Sequence, residues 1–429
     1  MQIHRDFVTE PTVPFNLMKI RRYTACLVIL TLLGIGTKTQ AQETLRESMT
    51  GEAAVEGVKG GNNGDTNLQL GPVKLRVSAS LDTSFNDNIN VAKTGRLDDF
   101  IVTPHGDVTG SWQISDLNAL TFDLGVGYEF YTIHSGNSSV FLSPNSQIQA
   151  NIFTGDFKIN LHDDFSYQQD PIGVGQLSNV SQFSRFLNDA GIEADWDLND
   201  VILSAAYDHT SFWVFESAFN YLDYQEDTLL PKATFKISKT VDIGLAADFG
   251  DSRYDKNIQN NYTFVSVGPL VSAQLSDNLA VNAQAGYYMA DFEHGGLNGD
   301  TENDSTYYAS AGLTHRLSNI FSESATVGRE AIPGITSNFT ERIYANYSIG
   351  WQATEHLNLG SNIWWENLTD SQALARETAN RYGIGLSLKY NITEHTSLDA
   401  GYQFVIKDAD PSSLSYYQDL FSLGVRYQF

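Results

Sequence analysis

Long segments in which apolar residues alternate with small or polar residues run from residue 72 to residue 429, and they constrain the fold more than any other feature. Residues 120–130, 382–390 and 421–429 read LTFDLGVGYEF, YGIGLSLKY and FSLGVRYQF. A period of two residues is that of a β-strand with two different faces. Strands of soluble sheets usually have about five or six residues, whereas a tilted strand that crosses a bilayer needs about nine to eleven. The pattern therefore predicts an all-β fold, a transmembrane antiparallel up-and-down β-barrel.

The strand faces opposite the apolar residues carry Gly, Ser, Asn, Asp and Lys, a set suited to a hydrated interior. Aromatic residues, 12% of the chain, concentrate near both ends of the predicted strands, as at the two interfaces of a bilayer. A secreted β-sandwich or β-solenoid is the alternative, but nothing in such folds favours aromatic residues at both strand ends. The predicted interface aromatics near the short turns or the C-terminus are Trp112, Trp196, Trp351, Tyr390 and Phe429.

Short polar clusters flanked by alternation recur at intervals of about forty residues, as in a repeated hairpin. Longer polar stretches lie between them, including 132–143, 169–185, 293–304 and 368–376. Eight short turns and two free ends give nine hairpins with long loops, hence about 18 strands, with 16 as the alternative. Both termini of the barrel domain would then emerge on the side of the short turns. The eight clusters are 114–122, 153–161, 197–205, 237–245, 275–283, 317–325, 353–361 and 392–400.

The residues before the barrel have the features of an export signal. After Met18 come three basic residues, a short apolar core at 24–36 and a small-residue cleavage site ending at Ala41. We interpret 1–41 as a mis-assigned extension plus a signal peptide, 42–71 as a flexible periplasmic linker and 72–429 as the barrel. The only cysteine, Cys26, lies in the predicted signal, so the mature chain would hold no disulfide and no cysteine-ligated metal.

The charge and the motifs exclude several function classes. A formal net charge of −25 argues against nucleic acid as a partner, because phosphate binding requires a basic face. Enzyme signatures for nucleophilic, metal-dependent or nucleotide chemistry are absent from the sequence, and we predict no catalytic residue, no cofactor and no metal site. A barrel enzyme would need a Ser–His pair near the outer rim, whereas His315 lies near a short turn. His162 and Asp164 share a strand face, and we interpret them as a plain pair in a hydrated lumen rather than metal ligands.

These features together resemble Gram-negative outer-membrane β-barrels. More narrowly, residues 77–112 are similar to the opening strand pair of the β-barrel porin 2 family, through Phe85-Asn86-Asp87-Asn88, Asp99-Phe100 and Pro104. The resemblance implies a pore in the bacterial outer membrane, contact with outer-membrane lipid, and recognition of the terminal aromatic, Phe429, by the barrel assembly machinery. Some members of the family resemble components found beside exopolysaccharide export systems.

A barrel of this size is wide enough to enclose an aqueous channel, so we predict a porin-like protein for passive diffusion of small hydrophilic solutes. The alternative is an export-accessory or structural barrel with a plugged lumen, associated with exopolysaccharide secretion. Acidic residues outnumber basic ones at the predicted lumen positions, which favours a mild preference for cations. Loop 169–185 is the candidate for a loop that folds inward. The predicted lumen-lining residues are Arg76, Asp82, Asp123, Glu129, Asp164, Glu193, Asp242, Asp248, Lys389, Asp399 and Arg426.

Overall fold

The computed structural model describes residues 67–371 and 376–429, which form a single antiparallel sheet closed into a barrel. Eighteen strands of 12–16 residues make up the wall, and the three-residue strand β1 precedes them. The prediction of 18 strands is confirmed. The strands are β1 (Leu68–Leu70), β2 (Val73–Asn86), β3 (Asp99–Gln113), β4 (Ala119–Tyr131), β5 (Ser139–Thr154), β6 (Phe157–Gln168), β7 (Arg185–Asp197), β8 (Val201–Val214), β9 (Tyr224–Lys236), β10 (Val241–Tyr254), β11 (Tyr262–Ser276), β12 (Leu279–Phe292), β13 (Asp304–Ser318), β14 (Phe321–Pro333), β15 (Phe339–Gln352), β16 (Leu357–Asp370), β17 (Thr378–Asn391), β18 (Thr396–Asp410) and β19 (Tyr416–Gln428).

The closure of the barrel is made by its first and last long strands. Each long strand pairs with its neighbours in sequence, and β19 pairs with β2 from Leu420↔Asn86 to Gln428↔Ser78. The alternating segment at 421–429 is therefore the last strand of the wall. Its pairing with β2 removes the two edges that an open sheet would expose to other chains.

The start of the ordered wall lies earlier than the sequence indicated. Strand β19 reaches β2 only as far as Ser78, and β1 pairs with the remaining edge of β2 from Leu68↔Leu75 to Leu70↔Val73. The side chain of Asn67 donates to Val77 O over 2.8 Å and accepts from Val77 N over 3.0 Å. The side chain of Asn67 thereby satisfies Val77 N, while Val77 O also accepts a hydrogen bond from Phe429 N over 3.0 Å. Residues 68–70 thus belong to the sheet, and the predicted extension, signal peptide and remaining linker, at 1–66, lie outside the described residues.

The connections follow the predicted alternation of short turns and longer loops. All eight predicted clusters connect adjacent strands at one end of the barrel, and nine loops close the hairpins at the other end. Two loops differ from their predicted bounds by more than one residue. The loop after β4 ends at residue 138 because β5 begins at Ser139, and β16 continues to Asp370, beyond the predicted start of the next loop at residue 368. Within the described ranges, the helical segments are too short and too polar to span a bilayer.

The two faces of the wall differ in exposure as the alternation predicts. On β19, Leu423 and Val425 present about half of their surface outward. On β17, Arg381 is fully buried, and it belongs to the opposite face. Polar and charged side chains dominate the buried positions of the wall, so the interior of the molecule is a polar lumen rather than an apolar core.

Candidate functional site in the lumen

The loop that joins β6 to β7, residues 169–184, crosses the lumen, and we call it the crossing loop. Ile172 O accepts a hydrogen bond from Arg381 Nη2 over 2.7 Å, and Gln176 Nε2 donates to Thr340 Oγ1 over 2.7 Å. Arg381 and Thr340 belong to β17 and β15, about half of the strand ring away from β6 and β7. A loop can reach the far wall only through the interior. The prediction that this loop folds inward is confirmed.

Apolar side chains hold the crossing loop in place. Ile172 is buried with Val91, Trp364, Val405 and Tyr416. Burying an aliphatic side chain of this size stabilises a structure by about 1.5–3 kcal/mol. Leu177 and Phe183 form a second cluster, with Val214 and Leu222. Buried apolar contacts therefore hold the crossing loop at two places.

Glycine allows the crossing loop to approach the far wall closely. A Cβ atom added at Gly175 would lie 2.7 Å from Arg381 Nη1 and 2.8 Å from both Glu366 Oε1 and Leu368 Cδ1. Atoms of three wall side chains would have to move to admit any larger residue. The backbone of the loop thus lies directly on the charged groups of β16 and β17.

These charged groups form an ion-pair network on β14–β18, made of Glu330, Arg342, Glu366, Glu377, Arg381 and Lys407. Arg342 Nε lies 2.8 Å from Glu366 Oε2, and Arg381 Nη1 contacts Glu366 Oε1. The side chains of Arg342, Glu366 and Arg381 are 3%, 3% and 0% exposed. Because the crossing loop excludes water from them, each charge requires a partner, and the network provides one.

The strand register explains why the network forms. Glu330 stands opposite Arg342, and Glu366 stands opposite Arg381, which in turn stands opposite Lys407. Directly opposed residues on neighbouring antiparallel strands have adjacent side chains. Lys407 Nζ continues the series to Glu377 Oε1 at 2.6 Å, in the loop after β16. Burial raises the pKa of Glu377, and the neighbouring Lys407 ammonium partly offsets that effect.

A buried arginine fixes the C-terminal end of the crossing loop. Arg185, 7% exposed, donates to Asp170 O over 2.9 Å and to Phe183 O over 3.1 Å. It lines a cavity of about 180 Å³ between the crossing loop and the wall, together with Val174, Phe212 and other residues. At its other end, the loop is fixed by Gln169 Nε2, which donates to Glu129 Oε2 over 2.6 Å.

The loop between β2 and β3 also folds inward. Asn88 and Val91 are fully buried, and Asn88 Nδ2 donates to Ala92 O and to Tyr417 O. Val91 O accepts a hydrogen bond from Asn179 N of the crossing loop over 3.1 Å. The Asn-Asp-Asn element that supported the narrower family resemblance is therefore part of the packing around the crossing loop.

The pairing register places all eleven predicted lumen residues on the face of the sheet that carries Arg381. Some of them are brought into contact. Asp82 Oδ2 lies 3.0 Å from His105 Nδ1, Glu193 Oε1 lies 3.4 Å from Lys232 Nζ, and Lys389 stands opposite Asp399. Of the eleven, Glu129 touches the crossing loop. Their role in solute selection stays a prediction.

Sequence reasoning missed the residues of the ion-pair network. Four of them, Arg342, Glu366, Arg381 and Lys407, occupy inward positions on successive strands, but their alignment depends on the register. Counting residues outward from each short turn could have found this signal.

The five predicted interface aromatics lie on the outer face, opposite in phase to the lumen residues. Each of them is at least 40% exposed. Phe157 stacks on Trp196, with ring centroids 5.5 Å apart, beside the turn that joins β5 to β6. Their contact with lipid headgroups stays a prediction.

Comparison with known proteins adds a family match. Residues 230–429 match a family model described as an outer membrane protein beta-barrel domain. No match was found among curated proteins.

Similar solved structures extend over most of the chain. OpdL of Pseudomonas aeruginosa has 12% identity and a TM-score of 0.44, with 84% of this chain and 99% of that chain covered. A BenF-like porin from Pseudomonas fluorescens Pf-5 has 9% identity and a TM-score of 0.46, with 83% and 99% covered. OpdK of Pseudomonas aeruginosa, solved with vanillate, has 7% identity and a TM-score of 0.46, with 83% and 98% covered.

Proposed function

We propose that this protein, an outer-membrane β-barrel, is a channel for passive diffusion of small hydrophilic solutes. Its place in the outer membrane follows from the family match at residues 230–429 and from the closed barrel of long strands. A barrel of 16 to 18 strands leaves an aqueous interior unless loops fill it. The polar inner face and the apolar outer face support such an interior.

The observation that carries the proposal is the level at which the crossing loop lies. Its wall contacts are near the loop ends of the strands, at Thr340, Arg381 and Lys407. Asp242, Lys389 and Asp399 lie at the opposite ends of their strands, close to the short turns. The crossing loop thus narrows one level of the lumen and leaves the wall below it to line a wider passage.

We further propose a mild preference for cations. The charges of the ion-pair network largely compensate one another, so that they add little net field at the crossing loop. The predicted lumen residues elsewhere on the wall are mostly acidic. Charged side chains along a pore raise the local concentration of the opposite ion.

Single-channel recording tests the diffusion function. We expect the refolded full-length protein to give stable conducting steps in a planar bilayer. Absence of steps, from protein that keeps heat-modifiable migration on a gel, would overturn the channel and favour the plugged export-accessory barrel. A salt gradient across the same bilayer gives the reversal potential and its sign, and hence the ion preference.

A further inference from the structure

Three lumen side chains on neighbouring strands converge in the half of the barrel that does not carry the ion-pair network. They are His162 on β6, Asp189 on β7 and Asp208 on β8, and one ligand atom from each lies within 4.8 Å of the other two. His162 Nε2 is 3.1 Å from Asp208 Oδ1. These side chains are partly buried and belong to the inner face.

A glycine on the middle strand makes this convergence possible. Gly191 stands opposite His162 on one side and opposite Asp208 on the other. A Cβ atom at Gly191 would overlap both Asp208 Oδ1 and His162 Nε2. The side chains of β6 and β8 therefore meet across β7 only because that position has no side chain.

The charges at this place are not balanced by protein groups. Asp164 stands directly opposite Asp189, and like charges in directly opposed positions are destabilising. Lys158 on β6 and Lys232 on β9 are engaged elsewhere, with Asp195 at 3.6 Å and with Glu193 at 3.4 Å. A protonated His162 could compensate only one of the three nearby carboxylates.

Two carboxylate oxygens of this group have no hydrogen-bond partner among the described residues: Asp189 Oδ1, and Asp208 Oδ1, which lies 3.1 Å from His162 Nε2. Asp189 Oδ1 is inaccessible to solvent and accepts no hydrogen bond from the residues that the structure describes. A buried acceptor without a partner costs about 1–3 kcal/mol, more when it is charged. A His162–Asp208 ion pair would account for two of the three residues but would leave Asp189 unexplained.

We propose that His162, Asp189 and Asp208 bind a divalent transition-metal ion of the zinc class on the channel wall. One imidazole nitrogen and two carboxylate oxygens are ligands that such ions accept, and the coordination positions left open would face the lumen. Asp164 adds negative charge beside the site. The sequence alone pairs His162 with Asp164, whereas the fold brings Asp189 and Asp208 to the imidazole.

Zinc binding to full-length protein in detergent, after treatment with a chelator, tests the site. We expect isothermal titration to give one Zn²⁺ per chain for the wild type. His162→Gln and Asp189→Asn should each weaken binding by about tenfold or more, because each removes one of three ligands. Gly191→Val should abolish binding while keeping all three ligands, and the heat-modifiable gel shift verifies that each variant is folded.

A matched control is available in the same lumen. His105 also lies between two carboxylates, with Nδ1 3.0 Å from Asp82 Oδ2 and Nε2 3.5 Å from Asp107 Oδ2. Because these carboxylates contact opposite ring nitrogens, they do not converge with the ring on one ion. His105→Gln should therefore leave zinc affinity unchanged.

The proposal is overturned if wild-type protein binds zinc no better than folded His162→Gln and Asp189→Asn, or if His105→Gln weakens binding equally. The titration does not depend on conduction, so its failure is distinct from failure of the diffusion channel.

Discussion

The inner face of the barrel carries its charges in two different ways at β14–β18 and at β6–β8. On β14–β17, acidic and basic side chains alternate across the strands, Lys407 on β18 pairs with Glu377, and the crossing loop covers this network. On β6–β8, Asp164, Asp189 and Asp208 surround one imidazole. Covered charges must be paired within the protein, whereas charges on an open wall can be compensated by ions from solution. The comparison indicates that the covered wall at β14–β18 is structural, whereas the wall at β6–β8 carries an excess of negative charge that a bound cation would compensate.

The largest loss of stability is expected from Glu366→Gln. This change leaves Arg342 and Arg381 without their shared carboxylate, and breaking a buried ion pair costs about 3–5 kcal/mol. The midpoint of urea unfolding in detergent, read from the heat-modifiable gel shift, measures the loss. Glu293→Gln is the control, because its partner Arg253 is exposed and such pairs contribute about 0–1 kcal/mol. Equal losses in the two variants would contradict the structural role of the covered wall.

A smaller loss of stability is expected from Gly175→Val. The added side chain would collide with Arg381, Glu366 and Leu368, and overpacking typically costs about 1–3 kcal/mol. Relief of the collision should move the crossing loop off the wall and raise the single-channel conductance. Gly136→Val, in the loop after β4, is the control because nothing lies within 4 Å of the added Cβ atom. If conductance stays at the wild-type value in both variants, the crossing loop does not form the constriction.

Asp189→Asn should change the free energy of unfolding in the opposite direction from Glu366→Gln. In metal-free protein it removes one of two directly opposed carboxylates, so the free energy of unfolding should stay the same or rise by about 0.2–1 kcal/mol. The same urea titration, performed with a chelator present, gives this value. A loss comparable to that of Glu366→Gln would mean that the two walls hold their charges in the same way.

The smallest effect is expected from Asp242→Asn combined with Asp248→Asn. Both carboxylates lie on the inner face of β10, away from the ion-pair network. Their removal should move the reversal potential in a salt gradient slightly toward zero, with little change in stability. A shift toward stronger cation preference would contradict the proposed role of the acidic lumen residues in ion selection.

Most of the fold was predictable because it depends on patterns that are local in sequence. Alternation marks each strand, and the polar clusters mark each short turn, so the strand number followed from counting. The exceptions have physical reasons. Strand β1 is three residues long and forms because β19 leaves part of β2 unpaired, which no local pattern reveals. The loop after β4 is shorter than its polar composition indicated because Ser139 and its successors pair with β4.

The candidate site was less predictable because it depends on contacts between distant residues. The inward position of Glu366 is readable from alternation, but its neighbours Arg342 and Arg381 are set by the register of three strands. Predicting the proposed metal site also requires the strand register, which places His162 and Asp208 on either side of Gly191. The length of the crossing loop was enough to predict that it folds inward. Its path across the lumen depends on the positions of the apolar residues that contact Ile172 and Leu177, which the sequence does not show.

The pairing of β19 with β2 has a consequence for the order in which the molecule assembles. Residues 420–428 meet residues 78–86, so this contact joins parts of the chain that lie farther apart in sequence than the partners of any other described strand pair. Contacts between distant parts of a chain form slowly because of the entropy of closing a long loop. All other neighbouring long strands are consecutive in sequence and can pair as hairpins. The free edges of β2 and β19 stay unpaired until these two strands meet. We therefore expect the joining of β19 to β2 to be the last and slowest step of folding.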